Sequence, residues 1–403
     1  MTDDFLDTLA SWPGDRVLPA ILACTDNDVL RALERADSAR LRPEDFMALL
    51  SPAAQRHLEA MAVLARDLTL RHFGRVVQFF TPLYLANICT NQCRYCGFNT
   101  TNTILRTKLS MDDVALEGKA IAATGLRSIL LLTGEAPKVT GAPYIAEAAR
   151  RLRPLFPDIG VEVYAMTEDE YRLLVEAGVD SLTLFQETYN EPLFLDLHPA
   201  GPKRDFRFRI GSQHRAALAG MRSVNVGALL GLDVWQRDAF FTGLHADWLQ
   251  TRHPGVEVGI SVPRMRPHEG SPITIHPNTE KDLVQYILAL RLFLPRSGIT
   301  VSTRERAWLR DHLIPLGVTR LSAGVSTAVG GHAVHNDEDT SQFHIADDRD
   351  VDAMIAAVRA QGYQPVFKNW EPMDGAYASG GQGRCPWTPP EGLSPSGLPV
   401  RGV

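Results

Sequence analysis

RVVQFFTPLYLANICTNQCRYC, residues 75–96, begins as an apolar run typical of a buried strand and ends in three closely spaced cysteines. A helix is predicted to start after Ser110, because Ser110 and Asp113 have the spacing of a capping box. The next apolar run, SILLLTGE (128–135), predicts a second strand. Short apolar strands joined by amphipathic helices pair in parallel, because each crossover between parallel strands needs a helix.

The alternation of strand and helix continues toward the C-terminus. Further strands are predicted at GVEVYA (160–165), SLTLFQE (181–187), SVNVGALLGL (223–232), VEVGISV (256–262), GITVST (298–303) and VTRLSAG (318–324). Eight such units within about 250 residues predict an α/β fold of the (β/α)8 TIM type. An open doubly wound sheet is the alternative, and the number of units favours the barrel.

Four regions are expected from the changes of pattern along the chain. Residues 1–75 are predicted to form an N-terminal helical segment, 76–328 the barrel, and 329–370 a C-terminal helix and strand. Residues 371–403 are rich in Gly, Pro and Ser, with too little apolar surface to offset the entropy of ordering. This last segment is therefore expected to be a flexible tail.

The overall composition is that of a globular protein. The 403 residues are 45% hydrophobic and 22% charged, with a formal net charge of −6. This charge provides no basic field for nucleic acid or an anionic membrane surface. The acidic N-terminus and the lack of a long apolar run lead us to expect a cytoplasmic protein. Five cysteines in a chain of this length are not a disulfide framework.

Three of the cysteines form a C-x3-C-x2-C motif at Cys89, Cys93 and Cys96. A cubane 4Fe–4S cluster takes four ligands, so three thiolates would leave one iron open to an exogenous ligand. A zinc site completed by a distant histidine and three unrelated core thiols are the alternatives. Zinc sites usually contain paired C-x2-C units, and the sequence has no second pair. The motif therefore predicts a cluster with an open iron.

Polar, charged or glycine residues stand at the end of every predicted strand. In order, these ends read CTNQCRYC, TGE, AMTE, FQET, GALLG, VPRMR, STRE and SAG. Active sites of (β/α)8 barrels lie at the C-terminal ends of the strands, so this distribution indicates an enzyme.

The cysteine motif, with Tyr95 before its last cysteine, resembles that of the radical S-adenosylmethionine (SAM) superfamily. In that family the open iron chelates the amino and carboxylate groups of SAM, and one electron cleaves SAM to methionine and a 5′-deoxyadenosyl radical. The resemblance implies that Tyr95 lies against the adenine. It also implies that Thr133, Gly134 and Glu135 meet the methionyl ammonium, where a carboxylate can accept charge-assisted hydrogen bonds.

A closer resemblance, over residues 40 to 370, is to the 2-iminoacetate synthase family of thiamin thiazole synthesis. It rests on LSPAAQRHLE (50–59), PLYLANICTNQCRYCGF (82–98), FQETYNE (185–191), DFRFRIGSQHRAALAGM (205–221), SVPRMRP (261–267) and VSTRERAW (301–308). It implies radical cleavage of the Cα–Cβ bond of L-tyrosine, giving 2-iminoacetate (dehydroglycine) and p-cresol. The implied partners are thiazole synthase and a low-potential electron donor.

The resemblance also implies roles for individual residues. Arg209 would meet the SAM carboxylate, Glu187 would order the cofactor, and Gly227 would let the backbone approach the adenine. Arg304 would hold the tyrosine carboxylate, since a guanidinium forks onto a carboxylate with fixed geometry. Ser322 would contact the same amino-acid head group. The alternatives are a surface role for Arg209, strand packing for Gly227 and a satisfied strand-end hydroxyl for Ser322.

Three other functions share parts of this pattern. A related tryptophan lyase would use the same head-group residues with a different ring pocket. The hydrogenase-maturation tyrosine lyase adds a second cluster, for which the C-terminal region here offers only Cys385. A non-catalytic iron–sulfur partner of thiazole synthase would produce no 5′-deoxyadenosine. The stretch 330–344 is rich in His and acidic residues, which are common metal ligands. Their spacing matches no known ligand set, so a solvated loop is predicted here.

Overall fold

The computed structural model of the chain describes residues 4–266, 275–334, 342–343 and 345–367. The predicted tail 371–403 and Cys385 lie outside the described residues, as do Asp337, Glu338, Asp339 and His344 of the His- and acid-rich stretch. None of the described helices is both long enough and apolar enough to span a membrane.

The strands form a closed parallel barrel. They are β1 (Val76–Ala86), β2 (Ser128–Thr133), β3 (Asp158–Glu162), β4 (Ser181–Thr183), β5 (Ser223–Gly227), β6 (Glu257–Ser261), β7 (Gly298–Val301), β8 (Arg320–Ser322) and β9 (Gln364–Val366). Strands β2 to β8 pair in sequence order, and β1 closes the ring by pairing with both β2 and β8. The predicted (β/α)8 barrel is confirmed, and the open sheet is excluded. Strand β9 pairs with the first residues of β1.

Helices precede the barrel and surround it. They are α1 (Phe5–Ser11), α2 (Gly14–Ala23), α3 (Asp26–Ser38), α4 (Pro43–Leu50), α5 (Leu58–Phe73), α6 (Met111–Ala123), α7 (Ala142–Leu152), α8 (Glu168–Glu176), α9 (Glu191–Leu197), α10 (Phe206–Ile210), α11 (Ser212–Leu218), α12 (Trp235–Arg252), α13 (Glu280–Phe293), α14 (Ala307–Leu313) and α15 (Val351–Ala360). The capping box of Ser110 and Asp113 at α6 is present as predicted. Each crossover between neighbouring strands of the barrel contains at least one of these helices, as parallel pairing requires.

The N-terminal helices pack on one side of the barrel, against α12 and α13. Phe46 of α4 is fully buried and stacks on Phe293 of α13 with ring centroids 4.4 Å apart. Burying one phenylalanine side chain contributes roughly 1.5–3 kcal/mol to folding. Gln285 of α13 donates hydrogen bonds to the carbonyls of Leu49 and Ser51. These bonds satisfy carbonyls at the end of α4, where no following helical turn supplies N–H donors.

The loop after β8 is held to the barrel by a distant carboxylate, which the sequence does not predict. The buried carboxylate of Glu117 on α6 accepts backbone hydrogen bonds from His332, Ala333 and Val334, at 2.6 to 2.9 Å. A buried carboxylate of this kind needs several donors to offset its lost hydration. Residues 331–334 are nevertheless partly or fully exposed, so the described part of this stretch is a surface loop that Glu117 ties to the barrel.

Candidate active site

Two adjoining cavities open at the C-terminal ends of the strands. The cluster cavity, of about 660 Å³, is lined by Cys89, Cys93 and Cys96 and by the ends of β2, β3 and β4. The barrel cavity, of about 950 Å³, lies among the side chains that point into the barrel and includes Arg304 and Ser322. Four residues line both cavities and form their common wall: Tyr84, Leu132, Glu162 and Phe185.

The three cysteine thiols of the motif share the cluster cavity and none is in a disulfide. Burial raises the pKa of the Cys93 thiol to about 12, so a metal that binds there displaces the thiol proton. In the described ranges no three His, Cys, Asp or Glu side chains are placed to hold one metal ion. Three thiols around one cavity fit a polynuclear cluster, in which each thiolate binds a different iron.

Backbone hydrogen bonds hold the cysteine loop from two sides. The N–H of Thr90 donates to the carbonyl of Glu135, 2.9 Å away, at the end of β2. The N–H of Gln92 donates to the carbonyl of Ala200, 3.1 Å away, and that of Arg94 to the carbonyl of Leu197 at the end of α9, 3.0 Å away. Asn91 is buried within the loop and donates to the Glu135 carboxylate at 2.7 Å. The loop geometry is therefore determined before any metal binds.

The three residues predicted to meet the methionyl ammonium, Thr133, Gly134 and Glu135, all line the cluster cavity. Glu135 is buried and accepts from Asn91, which orients one of its oxygens. Gly134 lies so close to the cysteine loop that a Cβ atom there would overlap the Ile88 carbonyl oxygen. This contact accounts for a glycine at the end of β2.

We expect Gly134→Ala to displace the cysteine loop, because the added methyl group meets backbone atoms that cannot rotate away. Iron bound after anaerobic reconstitution should fall to less than half of the wild-type value. The matched control is Gly14→Ala on α2, where a Cβ would meet nothing within 4 Å. Wild-type iron content in the Gly134→Ala variant would contradict this account of the loop.

Glu187 occupies a strained position at the centre of a charged group. Among the described residues other than glycine it has the single positive φ, 73°, a conformation that costs of order 1–3 kcal/mol. Its carboxylate pairs with Lys203 at 2.7 Å and with Arg209 at 3.3 Å. Burial opposes its ionisation, but these two cations outweigh burial and hold the pKa of Glu187 below its ordinary value.

Arg209 lines the cluster cavity but is largely engaged by the protein. Its guanidinium donates two hydrogen bonds to the carbonyl of Phe185, at 2.9 and 2.6 Å, besides its pairing with Glu187. It is 5% exposed, so the structure does not favour the surface role considered above. Lys203 lies in the same cavity and was missed from the sequence, since a lysine in a loop after a helix carries no motif.

Two of the residues predicted to bind the cofactor lie outside the lining of both cavities. Tyr95 points to His198, and its hydroxyl is 2.8 Å from Nε2 of that ring. The other ring nitrogen of His198 is 2.7 Å from the Phe194 carbonyl and must donate, so the tyrosine hydroxyl is the donor to Nε2. Gly227 packs between Phe185 and the carbonyl of Ser261. The strand-packing alternative for Gly227 is consistent with this contact.

The predicted tyrosine-binding residues both face the barrel cavity. The Arg304 guanidinium lies 3.6 Å above the ring of Phe343, and no described residue accepts a hydrogen bond from it. The Ser322 hydroxyl is buried and has no hydrogen-bond partner in the described part of the chain, which argues against a satisfied strand-end hydroxyl. An unpaired guanidinium and an unpaired hydroxyl in one cavity suit an anionic ligand.

The turn that carries Arg304 is clamped from β6. Glu305 is buried and accepts from Arg264 at 2.8 Å and from Arg266 at 3.1 Å. Arg266 also donates to the carbonyl of Arg304, 2.5 Å away. Glu305 therefore supports the turn, while the Arg304 side chain lines the barrel cavity.

The sequence did not assign four other cavity residues: Tyr84, Glu162, Gln342 and Phe343. The Tyr84 hydroxyl donates to Gln342 at 2.7 Å across the cavity mouth. Gln342 and Phe343 come from the stretch expected to be solvated, which contains no apolar periodicity to place it inside. Tyr84 and Glu162 occupy strand positions whose side chains point into the barrel. The sequence does not distinguish a functional polar residue at such a position from a structural one.

Comparison with known proteins gives the relationships of the chain. The model of the Radical SAM superfamily matches residues 83–240, and that of the Biotin and Thiamin Synthesis associated domain matches residues 261–364. The 2-iminoacetate synthase of Escherichia coli (strain K12) is 40% identical over 368 residues, 91% of this chain and 97% of that protein. The 2-iminoacetate synthase of Salmonella typhimurium is 38% identical over the same shares.

Among solved structures, the FeFe-hydrogenase maturase HydG from Carboxydothermus hydrogenoformans superposes with a TM-score of 0.81 at 28% identity. The match covers 88% of this chain and 83% of that one.

Proposed function

The chain belongs to the 2-iminoacetate synthase family of the radical SAM superfamily, and on this premise we propose that it cleaves the Cα–Cβ bond of L-tyrosine to 2-iminoacetate and p-cresol. The observation that carries the proposal is the common wall of the two cavities. A cavity ringed by thiols adjoins a cavity with an unpaired guanidinium, so cofactor and amino acid would meet at Tyr84, Leu132, Glu162 and Phe185.

Family membership implies a 4Fe–4S cluster and SAM as cofactors. We propose Cys89, Cys93 and Cys96 as the iron ligands, because their thiols share one cavity and have no disulfide partner. When bound, these cofactors supply a 5′-deoxyadenosyl radical that takes a hydrogen atom from the substrate amino group. Glu135 is proposed to hold the methionyl ammonium group of SAM, and Glu187 to order the cofactor. Arg209 and Lys203 are proposed to lie near the SAM carboxylate.

Arg304 and Ser322 are proposed to hold the tyrosine carboxylate in the barrel cavity. A bidentate guanidinium fixes both the position and the plane of a carboxylate, which orients the amino group toward the common wall. The aromatic ring would then extend into the barrel, where the side chains of the closed ring of strands surround it. This enclosure excludes water and stray thiols that would consume a radical.

The proposed function is tested by an anaerobic assay of the reconstituted full chain with SAM, a reductant and L-tyrosine, analysed by mass spectrometry. Formation of both 5′-deoxyadenosine and p-cresol is expected. If 5′-deoxyadenosine forms without p-cresol, tyrosine is not the substrate and tryptophan is tried next. A protein that forms neither product is not a lyase of this kind and would fit a non-catalytic iron–sulfur partner.

The setting of the enzyme follows from this chemistry. Thiolate clusters persist in a reducing compartment, which supports a cytoplasmic location. The thiazole of thiamin is the proposed destination of 2-iminoacetate, and thiazole synthase is the proposed partner, since an imine hydrolyses in water. A low-potential electron donor is also required.

A further inference from the structure

The common wall of the two cavities contains one carboxyl group. Leu132 and Phe185 are apolar, and the Tyr84 hydroxyl already donates to Gln342. Glu162 is the last residue of β3 and the single acidic residue that lines both cavities. It therefore lies at the place where a ligand of the barrel cavity comes within reach of the cofactor.

The Glu162 carboxylate has no hydrogen-bond or ion-pair partner among the residues that the structure describes. The acidic residues that line the cluster cavity differ in this respect: Glu135 accepts from Asn91, and Glu187 pairs with Lys203 and Arg209. Glu162 is partly exposed where the two cavities meet, so its carboxylate is free to accept hydrogen bonds from a bound ligand. A cationic or N–H-bearing part of a ligand is the complementary donor, since hydrogen bonds to a carboxylate are strongest from charged donors.

Charged groups from several elements face Glu162. Arg304, after β7, is the strongest favourable charge, with Lys203 and Arg209 farther along the cluster cavity, while Glu187 opposes ionisation. Burial outweighs these cations and raises the pKa of Glu162 to about 7. A carboxylate with a pKa this high is a much stronger base than one in water, which suits proton transfer near neutral pH.

The reaction needs such a base. An amino acid in neutral water carries an ammonium group, whose nitrogen has no lone pair to stabilise the loss of a hydrogen atom. With the substrate carboxylate on Arg304, the α-nitrogen would lie within the reach of the neighbouring common wall. We propose that Glu162 binds the α-ammonium of the substrate and removes one proton from it, so that the neutral amine enters the radical step.

The step is balanced by itself: one N–H bond of the ammonium breaks, one O–H bond forms on Glu162, and no electron is transferred. The inference rests on the proposed function, because it needs an amino-acid substrate held at Arg304. It adds a catalytic residue and predicts that the substrate class is restricted to compounds with a free α-amino group.

The test compares p-cresol formation by wild type, Glu162→Gln and Glu162→Asp across the neutral to alkaline pH range. Glu162→Gln should be slower by about 100-fold or more near neutral pH, the usual contribution of a general base. The deficit should shrink as pH rises toward the pKa of the substrate ammonium, because solvent then supplies the neutral amine. Glu162→Asp should recover part of the rate and a wild-type-like pH profile.

Binding gives a second, independent measurement. 4-Hydroxyphenylpropionate, which is tyrosine without its amino group, serves as the inhibitor of wild type and of Glu162→Gln. Wild type should favour tyrosine over this compound, and Glu162→Gln should lose about tenfold or more of that preference. Iron content after reconstitution should remain near wild type in every variant, which separates loss of the base from loss of the cluster. Glu176→Gln on the exposed end of α8 is the matched control for the same chemical change.

The outcomes distinguish failure of this inference from failure of the proposed function. If wild type makes no p-cresol, the proposed function fails before any variant is needed. If wild type makes p-cresol and Glu162→Gln matches it, or is slower by the same factor at every pH, Glu162 is not the base. A deficit that disappears with rising pH supports proton removal by Glu162, since a structural defect would not be relieved by alkali.

Discussion

Replacing Cys93 with alanine is expected to abolish turnover and to leave the protein without its cluster. Cys93 is the most deeply buried of the three thiols, and its removal leaves two ligands where three are needed to retain the cubane. Wild type should bind about four iron atoms per chain after reconstitution, and Cys93→Ala well under one. Iron analysis and the absorbance of the brown protein measure this directly.

Cys24→Ala is the matched control for the loss of a thiol. Cys24 caps α2 and donates to the Ala20 carbonyl, far along the chain from the cysteine loop. This variant should keep its iron and its rate. If Cys93→Ala kept about four iron atoms per chain, the proposed ligand set would be wrong.

Replacing Arg304 with alanine is expected to separate cofactor cleavage from tyrosine cleavage. The cysteine loop does not contact this side chain in any described hydrogen bond, so reduced enzyme should still form 5′-deoxyadenosine slowly. p-Cresol formation should fall by roughly 10²–10³-fold in kcat/KM, because losing one partner of a buried charge pair costs about 2–5 kcal/mol. Arg304→Lys should restore little, because an ammonium cannot fork onto a carboxylate.

Arg306→Ala is the matched control for loss of an arginine in the same turn. Arg306 is exposed and pairs with Glu280 on α13 at 2.7 Å, an interaction typically worth under about 1 kcal/mol. Its p-cresol rate should remain within about twofold of wild type. Normal p-cresol yield from Arg304→Ala would eliminate its role in binding the substrate.

The sequence was most informative where function depends on short spacing. The C-x3-C-x2-C motif and the TGE strand end each lie within eight residues or fewer, and the structure brings both to the same cavity. Inward-facing Arg304 and Ser322 were also identified, though only through resemblance to a family. Periodicity was sufficient to predict the barrel because each strand and helix buries its own apolar face.

The omissions concern long-range contacts. Glu117 and the loop after β8 are more than two hundred residues apart, and the hydrogen bonds that tie this loop to α6 appear in no local pattern. Gln342 reaches Tyr84 across a similar distance along the chain. A stretch of His, Asp and Gly has the composition of a surface loop whether or not a distant carboxylate holds it.

The amino-acid sequence alone determined the class of fold, the thiol-bearing loop and the kind of chemistry to expect, because these follow from periodicity and from spacing within single segments. Only the tertiary structure decided that Lys203 pairs with Glu187, that Phe343 lies under Arg304, and that Glu162, which has no partner among the described residues, lies between two cavities. Parallel pairing sets which strand ends become neighbours, and the stagger of the closed barrel sets their heights. Which side chain lies between the two proposed ligands therefore depends on the whole ring of strands.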